Sequence, residues 1–148
     1  MGATPLQLPI SQVYDALQTG LIDGVISGSS TLSHFRLDEV AASVTQGAPL
    51  GRLSFYAVMS EAAYNGLSDS ERAAVDAASG YELSKSAEVA WNATAKAALA
   101  AAAASGENTM VQLTAAEAAA FTEVLADVLN AYVSDVGGAA TMAAMNGD

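Results

Sequence analysis

The sequence predicts a helix-rich α/β chain with a small sheet and one unusually long helix. Three observations carry that expectation. Hydrophobic residues make up 52% of the 148 residues and charged residues only 14%, a globular profile far from the polar composition of disorder. Aromatics are only 6% and alanine is abundant, so the core must come from small side chains packed closely, helix against helix. From Ser68 to Ala104 there is no proline and one interior glycine, Gly80, among strong helix formers. At this length one domain is the default.

The elements follow in order. Ala3 to Pro9 alternates apolar and polar residues between two prolines, which suits an edge strand. Ser11 offers an N-cap hydroxyl ahead of Val13, Ala16 and Leu17, which share a helical face, and Gly20 supplies a left-handed stop. Leu21 to Ile26 reads as a short strand, followed by the polar loop Ser27-Gly28-Ser29-Ser30-Thr31. Residues 32 to 40 suit one or two helical turns, and Ala41 to Gln46 carries the β-branched Val44 and Thr45. Leu53 to Met59, with Phe55, Tyr56 and Val58, is expected to be a long strand.

Ser68-Asp69-Ser70-Glu71 is a capping box that opens the long helix. Running unbroken to Ala104, that helix would span roughly 55 Å, so either Gly80 bends it or it bridges two bodies. The run Ala100 to Ala104 could be taken as low complexity. Alanine loses no side-chain entropy in a helix, however, which favours an ordered, closely packed one. Thr109 to Leu113 reads as a strand, and Thr114-Ala115-Ala116-Glu117 is a second capping box. It opens a helix striped by Phe121, Val124, Leu125, Val128 and Tyr132 and stopped at Gly137-Gly138; the tail is helical or frayed.

Five Lys and Arg against sixteen Asp and Glu give a net charge of −11, which repels nucleic-acid phosphates and anionic lipid. Neither is an expected partner. There is no cysteine, so disulfides and thiolate chemistry are excluded. The sole histidine, His34, lacks the spacing of a metal or nucleophile pair and is expected to be structural. The acidic residues scatter along helix faces without a placed acid and base. No enzyme activity, metal or cofactor is therefore expected. Ile26 to Ser30 is a Ser/Gly loop of the kind that offers hydroxyls and amides to an anion, although a plain surface loop is the better reading of the residues alone. Asn92-Ala93-Thr94 matches a glycosylation sequon inside a predicted helix, where such matches arise by chance.

The run from Pro9 to Gly24, PISQVYDALQTGLIDG, resembles the signature of the solute-binding proteins of TRAP-type (tripartite ATP-independent periplasmic) transporters, the DctP-like family. There a Pro-x-Ser-Glu-Val-Tyr helix runs into Ala-Leu-Gln-Thr-Gly and a Val-Asp-Gly strand end. Glu39-Val40, Met59-Ser60, Leu67-Ser68 and Leu113-Thr114 fall in the family's order, so the resemblance covers essentially the whole chain. It implies the C-terminal part of a two-lobed periplasmic-binding-protein-like fold, with strands crossing between lobes and a long helix packed across both. It implies one fragment in two parts: 1–66 with the second-lobe strands, helix and crossing strands, and 67–148 with the long helix, a strand and the last helices.

The same resemblance implies a small organic carboxylate as ligand, TRAP membrane subunits as partners and a periplasmic location. The family's carboxylate-gripping arginine precedes the segment where this chain starts. The chain is thus expected to lack the first lobe, the export signal and the main anchor, to bind weakly, and to associate with itself. By position, Ile10 is the ligand wall, Ser27 stands where relatives carry an asparagine, and Gln12 replaces a glutamate. Ser29 belongs to the same hydroxyl loop. Arg52 is a candidate second anchor, since a guanidinium matches a carboxylate in fork geometry, although a plain surface arginine is the better reading of that residue alone; Arg36 is expected to pair locally with a carboxylate. Two other readings stay in view, an alanine-rich self-association domain and an enzyme domain. The long helix shows no sustained heptad seam for the first.

Overall fold

A computed structural model describes residues 2–51 and 53–146. It divides into two compact units, one of Leu6–Ser43 and Arg52–Thr109, the other of Met1–Pro5, Val44–Gly51 and Met110–Asp148.

In the first unit, helix α1 (Ile10–Gln18) buries Val13 and Ala16, three residues apart on one face. It begins one residue before the expected Ser11 cap: Pro9, with φ −57 and ψ 137, is the N-cap, and no side chain caps the helix. Pro9 suits that place because its fixed φ favours the non-helical entry. The expected glycine stop is there. Gly20 has φ +71, Leu21 N–H donates to Ala16 O at 2.9 Å and Gly20 N–H to Leu17 O at 3.2 Å, the paired bonds of a Schellman motif.

A single turn, α2 (Thr31–His34), and a 3-10 turn, Leu37–Glu39, follow as expected. Leu37 is the largest fully buried side chain among the described residues, at 2% exposure. Helix α3 (Glu61–Asn65) is capped by Ser60, whose hydroxyl accepts from Ala63 N–H at 3.2 Å. The Ser68 capping box is formed as read: α4 (Asp69–Ala77) has Ser68 N–H donating to Glu71 Oε2 at 2.8 Å and Glu71 N–H to Ser68 Oγ at 3.4 Å.

The long helix is not continuous. α4 ends at Ala77 with Ala78 as its C-cap, Gly80 takes φ +79 and ψ −147, and α5 (Tyr81–Ser105) starts afresh. That backbone is accessible to glycine and strained for other residues, so Gly80 breaks the helix where a bend was one expectation. The 25 residues of α5 are about 38 Å long. Ala98 and Ala102, four apart, are buried, at 5% and 1% exposure. These methyls, with Val13, Ala16, Leu32 and Leu37, form the buried apolar set of the described residues. α2 packs on α5. The expectation of a core built from small side chains holds here.

The sheet has two short strands, β1 (Ser43–Gln46) and β2 (Thr109–Gln112). Thr109 N–H donates to Ala42 O and Leu113 N–H to Gln46 O, each at 3.0 Å; donors and acceptors advance together, so the strands run parallel. Asn108, buried ahead of β2, donates through Nδ2 to Asp38 O at 2.8 Å and Ala41 O at 2.6 Å. Gly47, just after β1, has φ +91, and a Cβ there would lie 2.7 Å from Gln112 Nε2, so a side chain would displace the next strand's amide.

Three expected strands are absent. Ala3 to Pro9, Leu21 to Ile26 and Leu53 to Met59 have no strand pairing. Strand propensity is realised only where a partner backbone takes the hydrogen bonds, and the prolines at 5 and 9 also lack N–H donors. Leu53, Phe55, Tyr56, Val58 and Met59 are instead exposed. Phe55 is stacked on Trp91 of α5, ring centroids 4.5 Å apart.

In the second unit, α6 (Ala115–Asp135) opens on the other capping box, Thr114 N–H donating to Glu117 Oε2 at 2.7 Å and Glu117 N–H to Thr114 Oγ1 at 3.3 Å. It closes at Gly137 (φ +63), with Gly138 N–H on Val133 O at 2.8 Å, a second Schellman motif. Phe121 and Leu125 are half-buried, whereas Val124, Val128 and Tyr132 of the same stripe are exposed. The tail is helical, α7 (Ala139–Asn146), and packs on α6. Among the described residues no helix is long and apolar enough to cross a membrane.

The hydrogen bonds of the two boxes hold Glu71 and Glu117 below the ordinary carboxylate range; the Ser68 side chain is the larger cause for the first and the Thr114 backbone for the second. A carboxylate depressed by folding stabilises the folded state above its unfolded pKa. That contribution is lost as pH falls through the folded value. We expect stability to drop on acidification through and below the ordinary carboxylate range, and Ser68→Ala and Thr114→Ala each to cost about 1 kcal/mol. Urea titrations over an acidic pH series check this: in the double variant the acid-side drop should shrink, and an unchanged drop would contradict the assignment.

Candidate functional site

Ile10 is the first residue of α1 and is 36% exposed. Ser27 is exposed and Ser29 half-buried in the loop before α2. That loop is shaped by its own carbonyls: Thr31 donates to Gly28 O through both N–H (3.0 Å) and Oγ1 (2.7 Å), and Leu32 N–H donates to Ser29 O at 3.2 Å. Arg52 lies outside the described residues.

Two hollows lie within the first unit. One, of about 270 Å³, is lined by Leu8, Gln12, Asp15, Ala16, Thr19 and Leu21. The other, of about 280 Å³, is lined by Ser30, His34, Ala87, Ala90, Trp91 and Thr94. Ile10, Ser27 and Ser29 are in the lining of neither, although Gln12 belongs to the first hollow and Ser30, next to Ser29, to the second. In the sequence Ser30 stood out only as part of the hydroxyl loop, Thr94 only within a sequon match and His34 as structural, and Trp91 was not singled out. A signal was present, since Ala87, Ala90, Trp91 and Thr94 follow the i, i+3, i+4, i+7 spacing of one helix face.

A polar cluster joins α1 to the 3-10 turn. Arg36 binds Glu39 in a fork, Nε to Oε1 at 2.7 Å and Nη2 to Oε2 at 2.8 Å, and Tyr14 Oη donates to Glu39 Oε2 at 3.1 Å. The guanidinium also sits 5.8 Å from the Tyr14 ring centroid. Its hydrogen bond, more than any other group, lowers the Glu39 pKa; the bond to Glu39 in turn raises Tyr14. Arg36 reaches this position from a left-handed backbone, φ +55 and ψ +30, uncommon for a side chain of its size. The local pairing expected of Arg36 is what the structure has. Arg72 likewise pairs with Asp69. Both arginines are thereby occupied, which leaves Lys85 and Lys96 of α5 as the other described cations.

Among the described residues no group of acidic or histidine side chains could hold a metal ion. The site's chemistry is that of hydroxyls, an imidazole, an indole and small apolar walls. The model of the DctP family, described as bacterial extracellular solute-binding protein, family 7, matches residues 1–135. The chain belongs to this family. It is also similar to a protein named "Solute-binding protein" from Albidiferax ferrireducens, 41% identical over 46 residues, a stretch covering 31% of this chain and 14% of that relative. No solved structure matched the chain. DctP proteins are extracellular solute-binding components of transport and not enzymes. A helix-rich DctP chain with a small parallel sheet accords with part of a periplasmic-binding-protein-like fold.

Proposed function

We propose that this DctP-family protein captures a small organic carboxylate in the periplasm for import through TRAP membrane subunits. The observation that carries the reading is the family match across residues 1–135, which includes the Pro9 to Gly24 run. In this reading Ile10 is an apolar wall, Ser27 and Ser29 offer hydroxyls, and Arg52 supplies a forked cation. The chain is taken as one part of a two-lobed protein, its 1–66 and 67–148 parts sharing the second lobe and the bridging elements. Alone it binds weakly, because a net charge of −11 opposes an anion and Arg36 and Arg72 already hold carboxylates. Titration calorimetry with succinate and its uncharged diamide tests this. We expect succinate to bind with a Kd of about a millimolar or weaker and the diamide not at all. Equal binding of both would overturn the carboxylate assignment.

The exposed apolar side chains of residues 53–59 and the long α5 helix support self-association as a homodimer. Like charges on two copies oppose that contact, and salt screens them. Sedimentation velocity should therefore show more dimer at high than at low salt. A monomer at both would contradict the proposal.

A further inference from the structure

We propose that the hollow between α2 and α5 is a binding site for a small, uncharged aromatic molecule that carries one hydrogen-bonding group. Its walls come from one face of α5, where the methyls of Ala87 and Ala90 leave a notch beside the Trp91 indole. The indole is held by its stack on Phe55 at 4.5 Å, so the aromatic wall is positioned before any ligand arrives. A flat ring placed against an indole gains dispersion and quadrupole attraction beyond the area it buries. At about 280 Å³ the hollow is at the small end of ligand pockets, which argues for a single ring.

The polar end comes from α2 and the residue before it. Ser30 is 3% exposed and lines the hollow, so its hydroxyl is the polar group at that end. A donor or acceptor that enters replaces water there with a direct hydrogen bond. His34 adds an imidazole that can donate or accept. Thr94 is already used, its Oγ1 donating to Ala90 O at 3.0 Å. Among the described residues no Lys or Arg is in the lining, and the chain carries −11, so an anionic ring meets no counter-charge from them. An uncharged ring with a hydroxyl or amide meets what the walls offer. Ile10, Ser27 and Ser29 are not in its lining, and it does not depend on the carboxylate reading.

Trp91 is the chain's only tryptophan, so its indole N–H signal in a nitrogen-labelled sample reports on this hollow alone. Phenol is the probe and benzoate its charged counterpart. We expect phenol to move the indole signal saturably, benzoate at neutral pH to bind at least about tenfold more weakly, and Ser30→Ala to weaken phenol by about two- to tenfold. Ala90 is exposed on its helix, so Ala90→Leu should fill the notch without unfolding the chain, and it should abolish the saturable shift while other signals stay in place. A linear, unsaturable shift with phenol, unchanged phenol binding in Ala90→Leu, or benzoate binding as tightly as phenol would each overturn the assignment.

Discussion

Leu37→Ala is expected to lower the unfolding free energy by about 2–5 kcal/mol, read as a fall in the urea midpoint at constant slope. Leu37 is 2% exposed, in a buried set otherwise made mostly of smaller side chains. Removing it discards a large part of the apolar volume of that core. Where the surroundings relax only partly into the space, the cavity adds to the lost transfer energy. Val124→Ala, at a side chain 56% exposed on α6, is the control and should stay within about 0.5 kcal/mol of the parent. Similar losses for the two would contradict the placement of the core at Leu37.

Asn108→Ala is expected to cost about 1–3 kcal/mol for each carbonyl left unpaired, because Asn108 Nδ2 serves both Asp38 O and Ala41 O just ahead of β1. Asn108→Asp should be worse at neutral pH, since it sets a buried carboxylate against two carbonyl oxygens. Burial raises that carboxyl's folded pKa, so the loss is present above the folded value and is partly recovered as pH falls and the proton returns a donor. The parent loses stability on acidification, so the two pH profiles should converge. Parallel profiles would show that Asn108 does not hold these carbonyls. Its Oδ1 has no partner among the described residues, which makes the donor side the one that matters.

Local rules made much of the helical frame legible. Ser68 with Glu71, Thr114 with Glu117, Gly20 and Gly137 each act within one turn of chain, and each forms the cap or stop its residue type demands. Gly80 was visible too, but whether it bends or breaks a helix depends on its backbone, and φ +79 breaks it. The strands were not legible in the same way. Residues 53–59 have strand propensity, yet a strand exists only with a partner, and the segment is tied by Phe55 to Trp91 instead. Asn108 could not be read because its partners lie 67 and 70 residues away.

The candidate site divides similarly. The Ile10 and Ser27 positions came from the resemblance of one continuous run, which the family match supports at the level of the family. The hollow at Trp91 needed α2 laid against α5, a contact that no local spacing predicts, although the helical face Ala87, Ala90, Trp91 and Thr94 was present in the sequence.

We expect this protein to capture a solute without changing it chemically. Saturation-transfer NMR on the chain with a set of small organic carboxylates tests it most directly, because the technique detects weak binding and would also reveal turnover. We expect transfer to at least one carboxylate, whose spectrum stays unchanged through prolonged incubation. No transfer to any of them, or the appearance of product signals, would contradict it.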